Sequence, residues 1–185
     1  MEHTHVEVSH LQRPPYSSED SNYPIAQPLY TGACFCGAVV FTVSRQAPLD
    51  ARFCHCTTCQ TLHAAPFQWA AIFEKTDVRF VQGTAELVYW SSRKKSGEYS
   101  LPCKVSCRRC RTPLMDEGRR MLMLFPSLIK LGTAERREKF YPSCHMFYGQ
   151  RVVDVKDGKP KFSGRKGESK LLPETSESSM GTTER

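Results

Sequence analysis

The chain has 185 residues, 39 % hydrophobic and 24 % charged, which suits one soluble domain with tails and leaves too little for two full ones. No apolar run approaches the roughly 20 residues a membrane helix needs, so no membrane partner is expected. The formal charge of +7 is a weak pointer to a polyanion, because seven zinc-bound thiolates and two Zn²⁺ would bring the holo protein to about +4.

Residues 1–28 are polar and proline-containing with no sustained period of 2 or 3.6, and are expected to form a flexible arm. The opening MEHTHVEVSH has neither the basic start nor the apolar centre of a signal peptide. The expected compartment is therefore the cytoplasm, or the nucleus, where thiols stay reduced. The domain is placed at 29–162. Within it Ala38 to Val43, Gln68 to Phe73, Val78 to Val81, Leu87 to Trp90, Tyr99 to Val105 and Met121 to Phe125 are short and rich in β-branched and aromatic residues, which predicts strands. Gln82-Gly83-Thr84, Arg93 to Gly97 and Asp157-Gly158-Lys159-Pro160 supply turn chemistry between apolar runs. One short helix is predicted, over Lys130 to Lys139, with Gly132 and Thr133 opposing it. Residues 163–185 are rich in Ser, Thr, Glu and Gly and are expected to be a disordered tail.

Seven of the nine cysteines fall in three clusters: Cys34 and Cys36, then Cys54, Cys56 and Cys59, then Cys107 and Cys110. Alternate residues of an extended strand face one way, so Cys-x-Cys can present two sulfurs to one ion, and Cys-x-x-Cys does so across a tight turn. Cys34, Cys36, Cys107 and Cys110 therefore suit a closed four-sulfur site that ties distant segments together. Cys54, Cys56 and Cys59 then form a local three-sulfur site. Either its fourth position is open, as in catalytic zinc, or it is closed by Cys103, Cys144, His63 or His145. On a strand His55 would point away from a metal held by Cys54 and Cys56. The cations Arg93, Lys94, Lys95, Arg108, Arg109, Arg111, Arg119 and Arg120 either gather round an anionic ligand or are scattered solvated charges. No phosphate loop, Ser-His-Asp order or carboxylate pair offers a competing catalytic pattern.

Gly32-Ala33-Cys34-Phe35-Cys36-Gly37-Ala38-Val39, Cys54-His55-Cys56-Thr57-Thr58-Cys59 and Ser106-Cys107-Arg108-Arg109-Cys110-Arg111-Thr112-Pro113-Leu114 resemble the glutathione-dependent formaldehyde-activating enzyme family, which includes centromere protein V. The likeness runs from about Tyr30 to Phe162, and Pro142 to Pro160, with His145 and Asp157-Gly158-Lys159-Pro160, is similar to the family's closing stretch. Arg111 and Ala64 or Ala65 stand where members often have glycine. The resemblance implies a mainly β fold of small antiparallel, β-tent-like sheets held by a structural zinc at Cys34, Cys36, Cys107 and Cys110. It implies a catalytic zinc at Cys54, Cys56 and Cys59, glutathione as co-substrate, and a carbon-sulfur lyase or synthase acting on a small thiol adduct such as S-hydroxymethylglutathione, in formaldehyde detoxification. Three thiolates leave Zn²⁺ at net −1, a weak Lewis acid that favours sulfur transfer over water activation. The other readings are a lyase for another thiol conjugate, and a non-enzymatic zinc module that binds protein or nucleic acid; a nucleic-acid partner is not expected.

Overall fold

Alternating burial builds most strands of this computed structural model, which describes residues 27–173. Residues 1–26 of the expected arm and 174–185 of the expected tail lie outside it. The described chain divides into two units, one of residues 27–52 and 69–142, the other of 53–68 and 143–173. Among the described residues no helix is long and apolar enough to cross a membrane.

In the first unit β1 (Tyr30–Ala33), β2 (Val40–Val43) and β5 (Val78–Gln82) pair antiparallel in the order β1-β2-β5. Phe41 and Val43 of β2 are fully buried while Val40 and Thr42 are half-buried, the period of two that sends alternate residues to the core. Phe41 meets Phe80 of β5 with ring centroids 5.8 Å apart, and burying such a ring contributes about 1.5–3 kcal/mol. Gly32 pairs with Phe41 across β1 and β2, and a Cβ on it would stand 2.2 Å from the Phe41 ring. Only glycine leaves room for that ring.

A second antiparallel arrangement runs β4 (Gln68–Glu74), β9 (Met121–Leu124), β8 (Pro113–Glu117), β7 (Cys103–Cys107), β6 (Leu87–Trp90). The strand expected over Tyr99 to Val105 starts only at Cys103, because Pro102 has no N–H to give a ladder. Pro126 likewise follows the end of β9 and opens a single 3₁₀ turn. Strand β8 was not expected, and its burial explains why: Asp116 and Glu117 are buried with Leu114 and Met115. Glu117 accepts from Lys75 Nζ at 2.7 Å and from the Tyr99 hydroxyl at 2.8 Å. Breaking a buried pair by removing one partner strands the other charge. Lys75→Met should therefore cost about 3–5 kcal/mol in denaturant unfolding of the metal-loaded protein. Arg165→Met, which breaks the exposed pair with Glu168, should cost under about 1 kcal/mol.

The predicted helix forms as α2 (Ala134–Lys139), shorter than expected; α1 is described with the second unit. Gly132 at φ +70° blocks its extension and the Thr133 hydroxyl caps it by accepting from Arg136 N–H. Gly83, which follows β5 at φ +76°, is held differently: a Cβ there would stand 2.0 Å from the Ala38 carbonyl oxygen, whereas at Gly132 it would meet nothing. Gly83→Ala carries left-handed strain and a backbone clash together, about 2–5 kcal/mol, against about 1 kcal/mol for Gly132→Ala. Thermal unfolding of the two variants side by side measures the difference.

Strand β3 (Asp50–Cys54) carries the chain from the first unit into the second. There helix α1 (Thr57–His63) follows it, and β10 (Cys144–Met146) lies beside its end, with His55 N–H donating to Met146 O at 2.9 Å. Helix α1 was not anticipated. Within it only Cys59 is buried, so it has no apolar stripe to reveal it. Residues 163–172, expected within the tail, instead fold back on the segment before them. Ser163 N–H donates to Lys170 O at 2.9 Å, Leu172 N–H to Lys161 O at 2.7 Å, and Gly164 N–H to the Ser169 hydroxyl at 2.9 Å. Backbone pairing of this kind needs no apolar composition, so composition did not announce it.

Candidate metal centres

In the first unit the sulfurs of Cys34, Cys36, Cys107 and Cys110 all lie within 4.8 Å of one another. Two loops bring them there. Cys34 and Cys36 sit in the turn after β1, not on a strand as the spacing suggested, with Gly37 at φ +73° and Cys34 N–H donating to Val39 O at 3.0 Å. Cys107 ends β7, and the Arg111 N–H donates back to its carbonyl at 2.9 Å, folding Cys110 towards it. The Phe35 N–H donates to the Thr112 hydroxyl at 3.2 Å and joins the two loops.

The donor set fits a metal. Cys34 and Cys36 sulfurs are 3.5 Å apart and Cys36 and Cys107 sulfurs 3.9 Å, close to the spacing of about 3.8 Å that a tetrahedron of 2.3 Å zinc-sulfur bonds requires. All nine cysteines are free thiols. Four such thiols cannot ionise together without a cation, and the protons are shared unevenly. Ala38 N–H favours the Cys36 thiolate, yet the hydrogen bond with Cys110, burial and the other two sulfurs push Cys36 up to about 11. Burial opposes the Cys110 thiolate, but hydrogen bonds from Thr112 outweigh it and hold Cys110 at about 5. A divalent cation at the centre removes this conflict.

In the second unit Cys54, Cys56 and Cys59 form the other group within 4.8 Å. Cys54 ends β3 and Cys56 is the N-cap of α1 in extended conformation, its sulfur accepting the Cys59 N–H at 3.3 Å. Cys59 lies in the first turn, its sulfur 3.6 Å from that of Cys54. Its contacts with Cys54, together with burial, push the Cys59 thiol far up, the same frustration that a cation relieves. Gln60 ties α1 down by donating to the carbonyls of His55 and Gln150, and the Gln150 side chain accepts the Thr57 N–H at 2.9 Å.

Of the four residues considered as a closing ligand, none joins the three sulfurs. Cys144 is buried in the same apolar cluster as Cys54 and Cys59 without entering the group. Cys103 lies in the first unit at the start of β7, where burial and then Glu117 push it up to about 12. His145 is turned to other partners. So is His55: its Nε2 is 2.9 Å from His145 Nδ1, and the other nitrogen of His145 is 3.0 and 3.1 Å from the Asp157 carboxylate oxygens. Both rings are fully buried, with Tyr148 edge-on at 4.9 and 5.3 Å. Burial, and then His145, lower His55 to about 4, so it is neutral. Burial would raise Asp157, but its hydrogen bond from His145 and others outweigh this and keep it an ionised carboxylate. Sequence reasoning missed this chain. The signal available was Asp157-Gly158, where Gly158 at φ +70° turns the backbone and Lys159 N–H bonds the Asp157 carboxylate at 3.2 Å.

The glycine replacements fall where glycine would be easiest. Arg111 takes φ +62° and Ala64 φ +47°, the C-cap of α1. Both loops form regardless. The cations Arg93, Lys94, Lys95, Arg108, Arg109, Arg111, Arg119 and Arg120 are all exposed, and Arg109 is paired with Glu86 at 2.7 Å.

A sequence family described as glutathione-dependent formaldehyde-activating enzyme matches residues 29–150, well over half of the chain. No curated protein matches. Among solved structures, a structural-genomics crystal structure of a Rhodobacter sphaeroides protein is similar at 23 % identity and a TM-score of 0.44, covering 58 % of this chain and 94 % of that one.

Proposed function

Because the chain belongs to the glutathione-dependent formaldehyde-activating enzyme family, we propose that it is a carbon-sulfur lyase or synthase that interconverts glutathione plus formaldehyde with S-hydroxymethylglutathione. Two zinc ions serve it, one held by Cys34, Cys36, Cys107 and Cys110, the other by Cys54, Cys56 and Cys59. The observation that carries this reading is that the second group has three sulfurs and, among the described residues, no fourth ligand atom beside them.

Zinc at Cys54, Cys56 and Cys59 makes a thiol that reaches its remaining position a thiolate near neutral pH. The chain's own residues shape the rest. Cys54 and Cys59 are buried and keep water from two sides of the group, while Cys56 is only half-buried and is the member that a solute meets. The Cys59 N–H holds the Cys56 sulfur, and Gln60 anchors the helix that carries them both. In the synthase direction a sulfur-carbon bond forms, the carbonyl π pair becomes an oxygen lone pair, and the thiol proton ends on that oxygen. No oxidant or reductant is required.

Because glutathione and formaldehyde combine unaided, the test is the rate of exchange between free and hydroxymethylated glutathione at equilibrium, read by NMR. Catalytic amounts of zinc-loaded protein should raise it. Glutathione binding with no change in that rate would mean that another thiol adduct is the substrate, and no thiol binding at all would overturn the enzyme reading.

A further inference from the structure

Asp157, His145 and His55 form one hydrogen-bonded chain whose proton positions follow from its end. An ionised carboxylate only accepts, so His145 Nε2, 3.0 and 3.1 Å from the Asp157 oxygens, carries a proton. A neutral His145 then has a lone pair on Nδ1, and His55 Nε2, 2.9 Å away, must donate to it. That leaves His55 Nδ1 as a bare acceptor. This atom is buried and has no hydrogen-bond partner among the described residues. Leaving a buried acceptor unpaired costs about 1–3 kcal/mol, and here the residue that carries it stands between Cys54 and Cys56.

We infer that Asp157 and His145 are positioning residues that hold His55 in its Nε2–H tautomer, so that Nδ1 accepts a hydrogen bond from the hydroxyl of a hydroxymethyl thioether at the three-cysteine group. The ligand rests on the function proposed above; the tautomer does not. Asp157→Asn reverses the chain without changing its shape. Asp157 Oδ1 faces two further donors, the Lys159 N–H at 3.2 Å and Lys161 Nζ at 3.4 Å, so the asparagine carbonyl takes that side and its amide N–H₂ is turned to His145 Nε2. His145 must then accept at Nε2 and donate from Nδ1, and His55 becomes Nδ1–H. It can no longer accept.

The experiment is long-range ¹H–¹⁵N NMR of histidine-labelled, zinc-loaded full chain. Without ligand, His55 and His145 should both show the Nε2–H pattern, and in Asp157→Asn both should switch to Nδ1–H. Hydroxymethylglutathione, formed from formaldehyde in excess glutathione, should move the His55 Nδ1 resonance upfield in the unmodified protein, and S-methylglutathione, which lacks the hydroxyl, should not. Asp157→Asn should weaken the hydroxymethyl ligand or slow its exchange about 10- to 100-fold. S-methylglutathione affinity should stay the same. Opposite tautomers in the unmodified protein, or no switch in the variant, would overturn the positioning role. Binding of the hydroxymethyl ligand without movement of Nδ1 overturns the acceptor and leaves water as its partner. Failure of that ligand to bind overturns both the ligand assignment and the proposed function, while the ligand-free spectra still decide the tautomers.

Discussion

Purified protein should hold two zinc ions per chain, one released readily to a chelator and one retained until the fold is lost. Cys34→Ser and Cys107→Ser should unfold the first unit. The four sulfurs come from the turn after β1 and from the β7 to β8 connection, and Cys36 and Cys107 are 71 residues apart. Closing them on a metal ties the β1-β2-β5 sheet to the end of β7, which no disulfide does, since all the cysteines are free. Structural zinc in small modules contributes about 10–16 kcal/mol of apparent binding free energy. That matches or exceeds the roughly 5–15 kcal/mol by which a whole domain is stable, so losing the ion is equivalent to losing the fold. The three-cysteine group spans only six positions and closes no long loop, so its ion should leave without unfolding. Metal analysis before and after mild chelation, with circular dichroism on the same samples, tests this. One ion per chain, or two lost together with the fold, would contradict the four-plus-three division.

Both sulfur groups are legible in the sequence because cysteine is rare and its metal-binding spacings are local. What folding adds is the answer to the fourth-ligand question, given by which side chains do not arrive. Strands such as β2 and β5 are legible through their alternation. β8 is not, since Asp116 and Glu117 look like surface residues until Lys104 and Lys75 are placed opposite them. The His55 contact to His145 crosses 90 residues and depends on β10 lying beside the end of β3. Twelve residues separate His145 from Asp157, joined through a turn whose end point no periodicity encodes. Alternation does forecast that His55 faces away from its neighbouring sulfurs; it cannot name what His55 meets.

Cys56→Ser should reduce the exchange between free and hydroxymethylated glutathione to its uncatalysed rate while leaving the chain folded. The position makes this a clean substitution. Cys56 is the N-cap of α1 and its sulfur accepts the Cys59 N–H, and serine is among the best residues for that task, so the helix keeps its cap. What disappears is one of three soft donors. A hydroxyl remains protonated near neutral pH and binds zinc poorly, and two sulfurs do not replace three. Selective removal of the labile ion from the unmodified protein should have the same effect on exchange, and restoring zinc should rescue the unmodified protein but not the variant. The unfolding transition should move little, because Cys56 is half-buried and lies outside the main core. If Cys56→Ser unfolds the protein as thoroughly as Cys107→Ser does, the triplet is a second structural site. If the variant retains the accelerated exchange with only one ion bound, the reaction takes place elsewhere on the chain.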